Sequence, residues 1–164
     1  MLKSGELNIR SHPEDSNNAS LIQSLEIGNS VEVYGPLGHC TYKNWQDKPM
    51  FLVAGGTGFS QMKSLLEEVV KAHDQRKIHL FWGLRNPEDL YYFELMEKWK
   101  IQLENFKFDL VYEGEWVQER VVTTYPNLVE FQAVIAGPFN MVKSVWACFK
   151  EHHMDANDII SDVL

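Results

Sequence analysis

The sequence predicts an α/β fold built on a doubly wound parallel sheet. Two observations carry that prediction. From Phe51 onward, short apolar runs of strand type alternate with segments whose apolar residues recur at helical spacing. Three of those runs also end in a glycine turn: Gly55-Gly56-Thr57-Gly58, Gly83-Leu84-Arg85 and Gly137-Pro138. Strands and helices alternating at this length bury their apolar faces best as one parallel sheet covered on both sides. Right-handed crossovers then make it doubly wound.

The elements follow in order. Residues 6–10 alternate as a short strand, and residues 11–20, polar and containing Pro13, read as a loop. Leu21, Ile22 and Leu25 suggest a brief helix stopped at Gly28. Val31 and Val33 alternate in a further strand, closed by the turn Gly35-Pro36-Leu37-Gly38. A boundary is expected within residues 43–49, giving a segment 1–44 and a domain 45–164. Phe51-Leu52-Val53-Ala54 is a buried-type strand, and Leu65, Leu66, Val69 and Val70 mark the helix after it. Residues 78–82 form a second strand. A helix holding Leu90, Phe93, Glu94 and Glu97 is expected to run to about Ile101. Residues 106–112 are a third strand, 121–125 a short helix, 132–136 a fourth strand, 140–152 a helix and 159–163 a last strand.

Composition excludes several function classes. A formal net charge of −8 argues against a nucleic-acid partner, because nothing sequence-wide would attract a phosphate backbone. The N-terminal residues lack the apolar core of a signal peptide, and the longest apolar run, residues 50–54, is far too short to span a bilayer. A cytoplasmic protein without membrane contact is the expectation. Cys40 and Cys148 lack C-x-x-C spacing, His12, His39, His73 and His79 lack ligand spacing, and His152-His153 at a helix end would complement its dipole, so no metal site is expected.

In doubly wound sheets, ligands bind at the carboxyl ends of the strands, where strand order reverses. Gly55, Gly56, Thr57, Gly58, Phe59 and Ser60 follow the first strand there. The glycines permit close backbone approach, the next helix start favours an anion, and Thr57 and Ser60 carry hydroxyls. A tight turn that holds no ligand is the alternative. Arg85, two residues past Gly83, suits a phosphate or an adenine face; pairing with Asp89 at the surface is its alternative. In Gly137-Pro138-Phe139-Asn140-Met141 the glycine lets a ring approach, and Asn140 is of helix-cap type. Trp82, Trp99, Trp116 and Trp146 are expected to pack in the core or rim.

With these three motifs in hand, the stretches FLVAGGTGFS, FWGLRNPEDLYY and AGPFNMV resemble the pyridine-nucleotide domain of the ferredoxin–NADP reductase superfamily. The likeness is nearest to bacterial NAD(P)H–flavin oxidoreductases. The upstream IGNSVEVYGPLG resembles the end of that family's antiparallel flavin-binding β-barrel, so residues 1–44 would be a barrel remnant. The resemblance implies hydride transfer from NAD(P)H to a flavin (FAD, FMN or riboflavin), held loosely as substrate or cofactor. It places Thr57 nearest the nicotinamide as the catalytic-position residue. Gly55, Gly56, Thr57 and Gly58 would serve the pyrophosphate and nicotinamide region. Arg85 would contact the adenosine side, Gly137, Pro138 and Phe139 would flank the nicotinamide, and Phe59, Ser60, Gly83 and Met141 would also line the cofactor site. No Arg-x-Tyr/Phe-Ser/Thr flavin motif occurs in the chain. Two further expectations follow: a partner chain that supplies the barrel, or a non-catalytic nucleotide-binding module. A subunit feeding an oxygenase is a third reading, although two lone cysteines cannot hold an iron–sulfur cluster. Glu113 and Glu115 after the third strand would repel a 2′-phosphate and favour NADH, unless Arg120 decides the matter.

Overall fold

The computed structural model describes residues 5–9, 16–35 and 37–163, with the side chains of residues 16–18 and 44 outside the description. The chain divides after Gly38 into two units, Met1–Gly38 and His39–Leu164.

In the second unit, five parallel strands form one sheet: β1 (Met50–Gly55), β2 (Ile78–Gly83), β3 (Phe106–Val111), β4 (Gln132–Ala136) and β5 (Ile159–Ile160). Their order across the sheet is β3-β2-β1-β4-β5, all neighbours parallel. Strand order therefore reverses between β1 and β4. β1 and β4 are buried along their whole length, as expected of central strands covered on both faces. Successive side chains point to opposite sides, so Leu52, Ala54, Leu80 and Trp82 face one layer while Phe51, Val53, Phe81, Ala133 and Ile135 face the other. Helix α2 (Phe59–Ala72) and helix α3 (Phe93–Gln102) cover the first face; α4 (Val117–Thr124) and α5 (Phe139–Glu151) cover the second.

Residues 39–49 are fastened to this sheet by polar contacts. Lys48 pairs with the buried Asp158 at 2.6 Å, and the Gln46 N–H donates to the Gln132 side-chain oxygen at 3.0 Å. Tyr42 donates its hydroxyl to Asp74 at 2.8 Å, while Arg76 bonds both Asp74 and the Gln46 carbonyl at 2.6 Å.

Several local expectations need correction. The first unit contains α1 (Ser16–Ser24), which begins earlier than Leu21 and ends before Gly28. Its Ser-Asn-Asn start has a loop's composition, yet such residues are also at home in a helix's first turn. Residues 6–9 and 31–33 form no strand, and among the described residues of this unit no barrel strand exists. Val31 and Val33 are 57% and 65% exposed; alternation gives a strand its pattern, but a ladder partner makes it a strand. Arg10, residues 11–15 and Pro36 lie outside the described residues. In the second unit, α3 starts at Phe93 and excludes Leu90. Asp89 instead closes a capping box with Asn86 around the single turn Pro87–Asp89, and Tyr92 interrupts the chain at φ 65°. Helix α4 begins four residues before Val121, and Pro138, not Asn140, stands at the cap of α5. Proline has no N–H to leave unpaired there. Strand β5 stops at Ile160.

Among the described residues no helix is long and apolar enough to cross a membrane. No group of three or more His, Cys, Asp or Glu there is arranged to hold a metal ion.

One buried polar group lies at the far end of the sheet from the glycine turns. His79 is buried, stacked on Phe81 with ring centroids 4.0 Å apart, its Nδ1 3.0 Å from the Tyr125 hydroxyl and its Nε2 3.8 Å from Asp109. Burial holds its titration below the ordinary 6.5; Asp109 pulls upward and Lys107 adds to the lowering. A histidine lowered on folding keeps its stabilising neutral form above its unfolded value, and the unfolded chain takes up the proton first as pH falls. Stability measured by urea unfolding is therefore expected to fall as pH drops below about 6.5, the ordinary value. His79→Gln should flatten that slope.

Candidate functional site at the carboxyl rim of the sheet

Strand register aligns the three glycine turns. Gly55 stands opposite Gly83, and Ala54 stands opposite both Trp82 and Ala136, so the turns after β1, β2 and β4 leave one rim at one level. Helices α2 and α5 depart from neighbouring strands to opposite faces, opening the crevice that a strand-order reversal creates.

Contact between these turns is intimate. A Cβ on Gly58 would stand 2.3 Å from the Ala136 carbonyl oxygen, so the start of α2 rests directly on the end of β4. A Cβ on Gly137 would meet the Gly55 nitrogen at 3.0 Å, and one on Gly55 would meet Met141 Sδ at 2.3 Å and Pro138 Cδ at 3.1 Å. Gly55, Gly58, Gly137, Pro138 and Met141 are thus brought together. Gly56 adopts φ 53°, which glycine takes without a steric cost.

A single 3-10 turn, Gly56–Gly58, leads into α2. Its geometry is held from below by aromatic side chains. Trp82 is fully buried, and its indole N–H donates to the Gly56 carbonyl at 2.9 Å. Phe59 stacks on Trp82, with centroids 4.0 Å apart and planes at 14°, and Tyr91 meets Trp82 edge-on at 5.1 Å. Phe59, expected among the ligand-contacting residues, is fully buried; its ring serves the core because the first turn of α2 points it inward. Ser60 turns its hydroxyl back to the Thr57 carbonyl at 2.8 Å, bracing the loop. Thr57 remains half-buried at the rim.

The other predicted residues occupy the same edge. Gly83 ends β2 and packs near Val117, whose Cβ would lie 3.8 Å from a Cβ placed on the glycine. The Leu84 N–H donates to the Val111 carbonyl at 2.8 Å, which puts exposed Arg85 just beyond the β2–β3 ladder. Among the described residues no ion pair engages Arg85. Pro138 and Phe139 are exposed, with the Lys143 ammonium 5.3 Å from the Phe139 ring centre.

Electrostatically, the rim suits an anion. Neither α2, 14 residues long, nor α5, 13 residues long, has an acidic residue in its first turn or a side-chain cap. Neither helix thus supplies a counter-charge from its own first turn, although the Asp162 carboxylate bonds Gln61 at the start of α2. That arrangement, with glycines where a ligand must approach backbone, fits a dinucleotide's pyrophosphate.

Three features here go beyond the sequence expectations, in which Trp82 and Trp116 only pack in the core or rim. Trp82 reads in the sequence only as a strand residue of the core. Trp116, 67% exposed, follows the turn Tyr112–Glu115 beside Val117, and so belongs to the Gly83–Arg85 edge. Asp162, beyond β5, accepts hydrogen bonds from the His39 and Cys40 N–H groups and from Gln61 in the first turn of α2, the last at 2.8 Å. Burial alone would raise the Asp162 carboxyl, but these bonds carry it below the usual 3.8. Burial, followed by the Asp162 charge, pushes the Cys40 thiol up to about 12. No local pattern announces such a knot, since its members come from three distant segments.

The sheet order and the glycine-lined rim define an α/β fold of nucleotide-binding type. Residues 52–146 match the family described as Oxidoreductase NAD-binding domain, and the chain belongs to that family, within the ferredoxin–NADP reductase superfamily. It is 30% identical over 156 residues to reductase component 1 of terephthalate 1,2-dioxygenase from Comamonas sp., spanning 88% of this chain and 46% of that one. It is 31% identical over 142 residues to a protein named "Probable flavin reductase" of Vibrio harveyi, spanning 79% and 60% respectively. Among solved structures, flavohemoglobin from Malassezia yamatoensis with bound FAD and heme superposes with a TM-score of 0.79 at 14% identity, covering 93% of this chain and 42% of that one. That likeness shows the fold. The chain spans about half the length of the curated relatives it matches first, 46% for the first of them.

The glycines differ in what they exclude. Gly58→Ala must push backbone from backbone and is expected to destabilise the fold by about 1–3 kcal/mol. Gly55→Ala meets mainly the flexible end of Met141 and should cost less. Denaturant midpoints of the two variants check that order.

Proposed function

We propose that this chain binds NAD(P)H along the rim and presents its nicotinamide to a flavin, as the nucleotide-binding part of a flavin-dependent reductase. The single observation that carries the reading is the meeting of two uncapped helix starts and the interlocked Gly55–Gly58 and Gly137 turns in one crevice. When bound, the reduced nicotinamide supplies a hydride from its C4 to the flavin N5.

The chain's own contribution is position. The Gly56–Gly58 turn and the start of α2 receive the pyrophosphate. Thr57 borders the nicotinamide, and Gly137 leaves room for that ring where a side chain would crowd Gly55. Phe139, exposed beside them, shields the ring from water. Arg85 and Trp116 hold the adenosine end, the guanidinium by charge and the indole by its open face. No general acid or base is required for the hydride itself. The segment before the sheet domain, residues 1–44, is read as the end of a flavin-binding domain. Because its described residues form no strand, a second reading stands beside the first: a nucleotide-binding module whose flavin is held by a partner chain.

The reading extends to nucleotide choice. Arg120 is already engaged by Glu115, of the turn after β3, in an ion pair. A 2′-phosphate would face Glu113 and a neutralised arginine, which supports NADH as the preferred nucleotide.

Two measurements test these statements. Loss of the reduced-nicotinamide absorbance on adding riboflavin or FMN is expected for the reductase reading; nucleotide binding without turnover at excess flavin would favour the partner-dependent module. Glu115→Gln should free Arg120 and narrow the NADH-over-NADPH preference, read as the ratio of the two dissociation constants. An unchanged ratio would remove Arg120 from nucleotide selection.

A further inference from the structure

We infer that Trp82 is a positioning residue for nucleotide binding: its indole N–H, reaching up from β2, fixes the Gly56–Thr57 peptide so that the Thr57 N–H is aimed out of the rim. The inference rests on the proposed nucleotide site and names a residue that touches no ligand.

The geometry is simple. Gly56 carries no side chain and sits at φ 53°, between Gly55 and a turn ending in Gly58. Glycines let the backbone come close to a ligand, but the same freedom leaves the peptide planes without side-chain restraint of their own. The Gly56 carbonyl receives two donors. One is the Phe59 N–H, as the 3-10 turn closes, and the other is Trp82 Nε1 at 2.9 Å. In a trans peptide the C=O and N–H lie in one plane and point in opposite directions. Fastening the Gly56 oxygen toward the core therefore directs the Thr57 hydrogen away from it, toward the crevice.

Trp82 is itself immobilised. It is fully buried and stacked on Phe59 at 4.0 Å, with Tyr91 against its edge. Its strand position is set by pairing with Ala54 on one side and Leu110 on the other. The donor thus belongs to a strand other than the one that feeds the loop, and the site is preorganised by tertiary packing. Phenylalanine at this position would keep the stack and lose the donor. An orienting bond of this kind acts on the bound and transition states alike, so it should move KM and leave kcat nearly unchanged.

The experiment compares the wild-type protein with Trp82→Phe, and with Trp99→Phe as a matched loss of another buried indole. The dissociation constant for NADH is read from nicotinamide fluorescence, and amide exchange at Thr57 is read without ligand. Trp82→Phe should weaken NADH about three- to tenfold, the worth of one hydrogen bond, while Trp99→Phe should not. The Thr57 amide should shift and exchange faster in Trp82→Phe alone. Where flavin-coupled turnover is measurable, the loss should appear in KM. If Trp82→Phe does not fold, benzothienylalanine at position 82 removes the N–H and retains the ring shape. Wild-type binding with an unchanged NADH constant in the donorless variant overturns the inference, as does an unmoved Thr57 amide. Failure of the wild-type protein to bind NADH instead overturns the nucleotide site, and with it the ligand role of Trp82, while the exchange arm still reports whether the indole orients the peptide.

Discussion

The direct rest of Gly58 against the Ala136 carbonyl is the constraint on which the remainder of the molecule depends. It sets the distance between the first helix after β1 and the end of β4, and so the width of the crevice between them. With a side chain at that point, β4 and α2 would have to separate, and Gly137 would lose its contact with Gly55. The sheet order β3-β2-β1-β4-β5 then has one place where its carboxyl ends open, and the close contact lies there. Fold and site share the same few atoms.

Around that contact the molecule divides its labour between rigid support and open surface. The aromatic layer of Trp82, Phe59 and Tyr91 is packed beneath the loop, while Thr57, Arg85, Trp116, Pro138 and Phe139 remain accessible at its edge. Positive charge at the rim comes from two helix starts, Arg85 and Lys143, in a chain whose net charge is −8. This is how an acidic protein can favour a small anion: the field is local, made by oriented backbone groups, and does not require a basic surface.

Polar fasteners bind distant segments to the sheet domain. Lys48 with Asp158, Tyr42 and Arg76 with Asp74, and Asp162 with residues 39, 40 and 61 hold the segment before β1 along one side of the sheet. Such contacts were invisible in the sequence because, Arg76 with Asp74 apart, each joins residues 30 or more positions apart, as with Arg76 and Gln46, and no period or motif encodes the pairing. The strands of the sheet were legible for the opposite reason. Phe51-Leu52-Val53-Ala54 and Gln132-Ala133-Val134-Ile135-Ala136 are apolar at every or nearly every position, which a central parallel strand requires. The pattern failed where it was met without a neighbour: Val31 and Val33 alternate as a strand should, yet nothing among the described residues completes a ladder.

By itself, then, the sequence determined the alternation of strands and helices, the glycine turns at three strand ends and the family those turns belong to, because each is a local pattern of hydrophobicity or backbone freedom. Only the tertiary structure decided which face each turn residue shows. It sent Phe59 into the core, turned Ser60 back on its own loop and brought Trp82 beneath Gly56 from another strand. Those outcomes depend on strand register and on packing between layers, which are relations between distant residues and have no signature in any short stretch of chain.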